Sequence, residues 1–182
     1  MATSEPTAAP TARECLATIV AALRGSDLPV DFTDEQTVVT ELPGEHKLRT
    51  TVAMSVGEHS VAINAFVARA PQENHEAMYR WMLERNRRLN MIAYALDPLG
   101  DIYLTGRLPL VAVTAETVDH LLGAVLSSAD GDFDHLVAMG FESSIRAEWR
   151  WRLDRGESTR NLQAFAHLAP EADHAARFSH ER

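Results

Sequence analysis

The pattern of apolar and polar residues changes from helical to strand periodicity within the first third of the chain. Apolar residues recur at helical spacing over Leu16–Leu23, and Gly25 stands where such a helix would end. Beyond it the apolar positions alternate with polar ones, which is typical of a half-buried strand. This alternation predicts three strands, at Thr37–Leu42, Leu48–Val56 and Val61–Val67.

The second and third strands are predicted to form a hairpin. Gly57-Glu58 suits a two-residue turn with glycine first. Cross-strand partners share a face of a sheet, so the register can be checked against the apolar pattern. The turn predicts three pairs on one apolar face: Met54 with Val61, Val52 with Ile63, and Leu48 with Val67.

A second helix and a second hairpin follow. The spacing predicts a helix over about residues 73–89, with Glu84 and Arg88 placed for an ion pair. Strand periodicity then returns on both sides of the turn sequence Asp97–Asp101. A three-residue loop with Gly100 in the left-handed conformation pairs Leu96 with Ile102 and Tyr94 with Leu104.

The last part of the chain is predicted to be helical. Thr114 can cap a helix that runs to about Ala129, and a short helical segment then leads to Gly140. Two further helices are expected at Glu142–Arg155 and Ser158–Leu168, separated by Gly156. The predicted fold class is α+β, a five-stranded, mainly antiparallel sheet in the order helix, three strands, helix, two strands, helix, with a C-terminal helical extension.

Four regions are predicted along the 182 residues. They are a flexible leader (1–11), a main domain (12–140), the C-terminal extension (141–168) and a flexible tail (169–182). No apolar run is long enough to span a bilayer, and the N-terminus lacks the pattern of a signal peptide. A single cysteine, Cys15, excludes an internal disulfide framework, so we expect a cytoplasmic protein and a buried structural thiol.

A search for catalytic and metal-binding motifs favours a protein without a cofactor or metal. The eight histidines show no metal-ligand spacing, and no phosphate-cradling glycine motif is present. Asp130, Asp132 and Asp134 resemble the start of a calcium loop, but the sixth position is His135 and the twelfth is Phe141. Helix capping by Asp130 or Asp132 is the better interpretation of these carboxylates.

The charge distribution argues against nucleic-acid binding. The chain has a formal net charge of −9. Its arginine-rich segment 142–160 carries five arginines against four carboxylates, so its charge is close to neutral. Affinity for nucleic acid comes mainly from neutralising phosphates, which a nearly neutral segment cannot do. The pattern instead favours solvent-exposed helical faces with internal salt bridges.

Several segments resemble one bacterial family. The residues from Trp81 to Arg88, from Tyr94 to Leu104, and the endings Glu148–Trp151, Arg155–Ser158 and Arg160–Leu162 look like the actinobacterial branch of the YbjN family. The element order is also similar to that of type III secretion chaperones. The resemblance implies a protein described as a sensory-transduction regulator, with relatives of chaperone fold that bind other proteins as dimers. It implies no catalytic residue and no cofactor.

Three functions follow as hypotheses. The first is a non-enzymatic protein-binding module, chaperone-like or regulatory, which forms a homodimer. The dimer is expected from the family resemblance and from the second face of the sheet. The side chains on that face are small and partly polar, at Thr51, Ala53, Ala62 and Asn64. The alternatives are an enzyme with a site lined by Asn64, Tyr103 and Arg107, and a nucleic-acid-binding regulator that uses the helix of Trp149 and Trp151.

The C-terminal extension is expected to carry the particular role of the protein. Trp149 and Trp151 diverge by about 200° on one helix and cannot face the same partner. One should pack on the domain while the other faces the remaining helix, a dimer mate or a client protein. The predicted interaction residues are Trp149, Arg150, Trp151, Leu162 and Phe165. The alternative is that the extension simply caps the sheet.

Overall fold

The computed structural model describes residues 9–170 of the chain. Most of the predicted leader and tail therefore lies outside the described residues. The elements occur in the order α1 (Ala12–Gly25), β1 (Asp31–Phe32), β2 (Thr37–Pro43), β3 (Arg49–Val56), β4 (Ser60–Ala68), α2 (His75–Asn86), β5 (Ile92–Leu96), β6 (Ile102–Pro109), a 3₁₀ turn (Leu110–Ala112), α3 (Ala115–Gly131), α4 (Phe133–Gly140), α5 (Glu142–Arg155) and a 3₁₀ segment (Arg160–Leu168).

The strands form a single antiparallel sheet in the order β1-β2-β3-β4-β6-β5. The α+β prediction is confirmed, but the sheet has six strands where five were predicted. The additional strand is β1, whose two residues pair with Val38 and Val39. A strand of this length is too short to produce an alternating pattern, and for that reason the periodicity did not reveal it.

The helices cover one face of the sheet and bury its apolar side chains. Val52, Met54, Ile63 and Leu104 are at most 1% exposed, as the alternation predicted. Burial of side chains of this size stabilises the fold by about 1.5–3 kcal/mol each. The core includes the buried sides of α1 and α3, and all of these residues belong to one apolar cluster.

The first hairpin is shifted by two residues from the predicted register. Met54 pairs with Ile63 and Val56 with Val61, so the two-residue turn is Glu58-His59, closed by a hydrogen bond from Gly57 N to Ser60 O. A shift of two residues keeps every side chain on its predicted face, and the apolar pattern cannot distinguish the two registers. Leu48 was also placed wrongly, because it precedes the strand and is 82% exposed.

The second hairpin has the predicted register. Tyr94 pairs with Leu104 and Leu96 with Ile102, and Gly100 has a φ of +84°. The carboxylate of Asp97 accepts hydrogen bonds from the backbone N–H groups of Leu99 and Asp101. Here the turn sequence itself determines the local geometry.

The helices differ from prediction in two respects, an ion pair on α2 and the type of the last helix. α2 begins and ends within the predicted range, but the predicted ion pair between Glu84 and Arg88 does not form among the described residues. The last predicted helix is a 3₁₀ segment with a non-helical backbone at Phe165, and not an α-helix. The predicted cap of α3 is present, since Thr114 Oγ1 accepts a hydrogen bond from Thr117 N.

Within residues 9–170, none of the helices has the length and apolar character needed to cross a membrane.

Candidate functional site

The second face of the sheet is left uncovered by the helices. A cross-strand row runs over it through five strands, formed by Val39, Ala53, Asn64, Thr105 and Ala93. Most of these side chains are small and all are partly or fully exposed. An antiparallel sheet can expose one face to water, so a face left open by the elements of residues 9–170 is compatible with a stable fold.

An aromatic and cationic cluster lies at one end of the open face. The rings of Phe66 and Tyr103 pack edge to face with their centroids 5.5 Å apart. The ammonium of Lys47 lies over the Phe66 ring, 4.9 Å from its centroid, and donates a hydrogen bond to the Phe66 carbonyl. We call these three side chains the Lys47 cluster. Both Lys47 and Phe66 are missing from the sequence prediction, because neither stands in a recognisable motif.

Arg107 marks the other end of the open face. It lies opposite Ala62 and borders a shallow cleft of about 680 Å³, together with residues 34–37 and the tip of the β3–β4 hairpin. Its guanidinium is exposed and forms no ion pair with any residue of the range 9–170. The cleft rim also carries Asp34 and Glu58, so both signs of charge are available there.

Asn64, Tyr103 and Arg107 were predicted as residues of a hypothetical enzyme site. The structure places all three on the open face, in three successive rows. No ion pair or hydrogen bond links these three side chains to one another. This arrangement can bind a ligand through hydrogen bonds, but it does not resemble a catalytic group.

The loop between β2 and β3 is fastened to the helical layer by two carboxylates. Asp130, at the end of α3, accepts hydrogen bonds from the backbone N–H groups of Glu45, His46 and Lys47 at 2.8–3.2 Å. A Cβ atom at Gly44 would collide with this carboxylate, which explains the glycine there. Partial burial works to raise the pKa of Asp130, but the three N–H donors lower it below its ordinary value.

A second contact of this loop involves a histidine. The imidazole Nδ1 of His46 lies 2.6 Å from a carboxylate oxygen of Asp134. The hydrogen bond and the charge of Asp134 raise the pKa of His46 above its ordinary value. The loop that carries Lys47 is therefore held on both sides by acidic residues of the α3–α4 junction.

The third aspartate of this group is part of a buried network. Asp132 accepts hydrogen bonds from Arg85 Nε at 2.8 Å and from Tyr94 Oη at 2.9 Å. Burial and the neighbouring carboxylate raise the pKa of Tyr94 well above its ordinary value. Asp132 occupies the N-cap position of α4, as one of the two predicted alternatives, but its side chain forms no capping hydrogen bond and links distant elements instead.

Two of the segments that carry the family resemblance, 81–88 and 94–104, lie in the main domain and hold its polar and aromatic contacts. The ring of Trp81 packs on those of Tyr94 and His135, with centroids 5.9 and 4.9 Å away. Asp101 is buried and accepts hydrogen bonds from Ala70 N and Arg69. The named side chains of these two segments are thus engaged in contacts within the main domain, which indicates an architectural role for them.

The C-terminal extension has a small apolar core of its own. Trp149 is 0% exposed and packs with Leu162 and Ala169, with Phe165 and Ala166 at the margin. Of the predicted interaction residues, Trp149, Leu162 and Phe165 therefore contact one another within the extension. Trp151 and Arg150 lie outside, and the exposed Trp151 ring is stacked by the guanidinium of Arg155 at 4.6 Å.

The extension is attached to the main domain through the loop before α2. Glu73 accepts hydrogen bonds from the backbone N–H and hydroxyl of Ser143, and Gly140 O accepts from Gln72 N and Glu73 N. The main neighbours of α5 are α4 and the 3₁₀ segment. Two of the arginines of α5 form ion pairs within the helix: Arg146 with Glu142 at 2.9 Å and Arg152 with Glu148 at 2.7 Å.

The remaining candidates are structural. Cys15 is buried and donates a weak hydrogen bond to Leu110 O, and burial, followed by the charge of Glu14, raises the pKa of its thiol. No group of three or more possible metal ligands occurs in the part of the chain that the structure describes. The uncovered sheet face and the Lys47 cluster at its edge remain as the candidate site.

These features define a class of protein: an α+β domain with one sheet face covered by helices and the other left open by them. The family model of YbjN, described as a "putative bacterial sensory transduction regulator", matches residues 16–138. The chain belongs to the YbjN family. The match ends before α5, so the C-terminal extension lies beyond the family domain.

Mycobacterial relatives match a little under three quarters of the chain. The uncharacterized protein Rv0487 of Mycobacterium tuberculosis is 58% identical over 133 residues, which are 73% of this chain and 73% of the relative. The uncharacterized protein Mb0497 of Mycobacterium bovis shows the same values. The uncharacterized protein ML2442 of Mycobacterium leprae is 55% identical over 131 residues, 72% of this chain and 71% of the relative.

Proposed function

We propose that the protein is a non-enzymatic regulator that acts by binding protein, and that the uncovered sheet face is its binding surface. The first partner is a second copy of the chain, with the open faces of two copies packed on each other in a homodimer. The observation that carries this proposal is the row of small side chains across five strands, centred on Ala53 and Asn64.

The composition of the face supports a protein partner. Small side chains in the centre let another backbone approach closely, while the polar side chains of Thr51, Asn64 and Thr105 can form hydrogen bonds around it. Arg107 and the carboxylates of Asp34 and Glu58 lie at one end. A twofold axis along the strand direction would place this end of one copy against the same end of the other, where Arg107 of each copy can face a carboxylate of its mate, the reciprocal contact of an isologous interface.

Two other observations weigh against the alternatives. The three residues predicted for an enzyme site share no hydrogen bond or ion pair with one another on the open face. A nucleic-acid interface through α5 needs exposed rings, but Trp149 is 0% exposed and only Trp151 is available for stacking. The proposal also includes a chaperone-like role, a type III secretion chaperone-like fold and a cytoplasmic location.

The experiment is a measurement of molar mass by light scattering at micromolar concentration. One chain has a mass of 20.1 kDa, and the proposal requires twice that mass. Ala53→Arg places a long charged side chain in the middle of the open face, without entering the core, and should reduce the mass to that of a monomer. Ala17→Arg introduces the same charge on the exposed side of α1 and should leave the dimer intact.

We also propose that the open face binds a protein other than a second copy of the chain. A pulldown from lysate, with and without nuclease, tests whether a stoichiometric protein partner is bound. The same partner should be lost with Ala53→Arg and kept with Ala17→Arg. A monomeric wild type with no partner, or a dimer unaffected by Ala53→Arg, would contradict the proposed surface. Recovery that depends on nucleic acid would favour the nucleic-acid alternative.

A further inference from the structure

A polar row crosses the open face at the end opposite the Lys47 cluster. Thr37, Ser55, Ala62 and Arg107 are direct cross-strand neighbours on β2, β3, β4 and β6. All four residues line the shallow cleft of about 680 Å³, so this row forms the floor of the cleft. The hydroxyls of Thr37 and Ser55 are hydrogen-bonded to each other at 3.0 Å, which holds the polar part of the floor in place.

Opposite charges stand at the two sides of this floor. The carboxylate of Asp34 accepts a hydrogen bond from Gln36 N at 2.8 Å, which holds it at the β2 side of the cleft. The N–H of Gln36 and the hydroxyl of Thr37 lower the pKa of Asp34, so this carboxylate is ionised at neutral pH. The exposed guanidinium of Arg107 lies at the β6 side and forms no ion pair with any residue of the range 9–170.

The spacing of the strands sets the width between these charges. β3 and β4 lie between β2 and β6, so the backbones of the outer two are three strand spacings, about 14 Å, apart. Asp34 and Arg107 occupy the two ends of this width. The residues between them, Thr37, Ser55 and Ala62, have short side chains. The space above the floor therefore suits a small, extended molecule with one anionic and one cationic end.

The other charges of the cleft favour a ligand with an excess of positive charge. Glu35 and Glu58 line the cleft together with Asp34, so three carboxylates surround the guanidinium of Arg107 and the exposed imidazole of His59. A free basic amino acid has a carboxylate at one end, a cation at the end of its side chain and an α-ammonium beside the carboxylate. Its two ends match Arg107 and Asp34, and its second cation matches the additional carboxylates.

We propose that this cleft binds the zwitterionic unit of a basic amino acid, with the carboxylate of the ligand on Arg107 and the side-chain cation of the ligand on Asp34. A guanidinium can bind a carboxylate through two parallel hydrogen bonds, which fixes the direction of the ligand across the strands. Free lysine and arginine contain this unit, and so does a carboxy-terminal lysine or arginine of a peptide. The α-ammonium that only the free amino acid carries is the feature that distinguishes the two sources.

The cleft lies on the surface that is proposed to form the homodimer. In that dimer Arg107 faces a carboxylate of the mate, whereas a bound amino acid occupies the guanidinium and Asp34 of one copy. A ligand that binds only the free cleft shifts the equilibrium toward the monomer. This competition rests on the proposed function, but the binding site itself does not.

The test is an NMR titration of the full chain with four probes at constant ionic strength. Lysine and Nα-acetyl-lysine carry both end groups, lysinamide lacks the carboxylate, and norleucine lacks the side-chain cation. We expect saturable amide shifts at residues 55–60 and at Arg107 with the first two probes. The Kd of lysinamide and of norleucine should be at least about 5-fold higher than that of lysine, since each loses one charge-assisted hydrogen bond on an exposed surface.

The comparison of the two complete probes identifies the source of the ligand. Tighter binding of lysine than of Nα-acetyl-lysine points to the free amino acid, because the α-ammonium then contributes. Equal or tighter binding of Nα-acetyl-lysine points to the carboxy terminus of a peptide. Both results support the site.

Two variants remove one charge each. Arg107→Gln should raise the Kd of lysine at least about 5-fold. Asp34→Asn should have a similar effect, while the amide oxygen still accepts the hydrogen bond from Gln36 N. Arg150→Gln and Asp119→Asn change exposed charges on α5 and α3, and both should leave the Kd of lysine unchanged.

Three results would overturn the inference. They are lysine-induced shifts that do not saturate or that lie outside the cleft, equal affinity for lysine, lysinamide and norleucine, and a Kd of lysine that neither Arg107→Gln nor Asp34→Asn changes.

Light scattering with and without lysine separates this inference from the proposed homodimer. A mass of 20.1 kDa without lysine refutes the homodimer, and the titration still decides whether the cleft binds. A dimer without saturable shifts refutes the site alone. A dimer that binds lysine should lose mass as lysine is added, and a constant mass would overturn the competition.

Discussion

The side-chain amide of Asn86 binds both backbone groups of Tyr94. Its Oδ1 accepts a hydrogen bond from Tyr94 N at 2.7 Å, and its Nδ2 donates to Tyr94 O at 3.2 Å. Tyr94 lies on β5, an edge strand of the sheet. The amide of Asn86 thus occupies positions that a further strand would use, and it protects this edge against pairing with another chain.

Asn86→Ala should lower the free energy of unfolding by about 1–3 kcal/mol, because two hydrogen bonds to a partly buried backbone are lost. Urea denaturation measures this change. Asn161→Ala, at an exposed position, is the control and should change the stability by less than about 0.5 kcal/mol. Asn86→Ala should also increase self-association at high protein concentration, because the edge of β5 is then free to pair. An unchanged free energy of unfolding and unchanged self-association would show that Asn86 does not protect this edge.

The Arg85–Asp132–Tyr94 network should behave as a unit. Asp132→Leu leaves the Arg85 guanidinium without its acceptor, whereas the Tyr94 hydroxyl keeps the Ser128 carbonyl at 3.1 Å. We expect a loss of about 2–4 kcal/mol, since Arg85 keeps partial access to water. Tyr94→Phe should cost about 1 kcal/mol. A double-mutant cycle by urea denaturation should give a coupling of at least about 0.5 kcal/mol. Additive losses would refute a cooperative network.

The contact between His46 and Asp134 predicts a pH dependence. The pKa of His46 is raised in the folded protein, by the hydrogen bond to Asp134 first and then by the charges of Asp134, Asp130 and Glu45. Its stabilising contribution is therefore present below the ordinary pKa of 6.5 and is lost as the pH rises through the raised value. The difference in Tm between wild type and His46→Gln should shrink over that interval.

Asp134→Asn is the matched control for this titration. It removes the carboxylate but keeps the size of the side chain, and it should bring the NMR titration midpoint of His46 back toward 6.5. A midpoint that does not move would mean that Asp134 is not the source of the raised pKa.

The two tryptophans of α5 should have very different effects. Trp149→Ala empties the core of the extension, and we expect a loss of about 3–5 kcal/mol in the local stability of residues 160–168. Trp151→Ala removes only a stacked, exposed ring and should cost about 0.5–1 kcal/mol. Hydrogen exchange measures both.

The main domain should be insensitive to Trp149→Ala, because its apolar cluster does not include that residue. Amide protection in β4 should therefore stay at the wild-type level. Equal loss of protection in β4 and in the extension would show that the two clusters unfold as one unit.

Cys15 provides a test of the packing of α1. Since the thiol is 1% exposed and its pKa is raised by burial, native protein should react slowly with a disulfide reagent. Adding urea should release one reactive thiol per chain. Fast reaction without urea would show that α1 does not hold its place on the sheet.

The local parts of this fold follow from the sequence. Alternation determines which side chains enter the core, and turn residues such as Asp97 and Gly100 determine the second hairpin, because both effects act between near neighbours. The cap at Thr114 is local in the same way. The first hairpin shows the limit, since a register shift of two residues keeps every face and leaves no trace in the pattern.

The tertiary structure decided the partners of the polar groups. Asp130, Asp132 and Asp134 stand together in the sequence but bind the β2–β3 loop, Arg85 with Tyr94, and His46, respectively. Periodicity gives no information on which carboxylate meets which donor from a segment tens of residues away. The same holds for Lys47, whose contact with the Phe66 ring becomes evident only when the loop is packed on β4. Apolar burial can be read along the chain, whereas hydrogen bonds and ion pairs depend on directions that only the folded chain supplies.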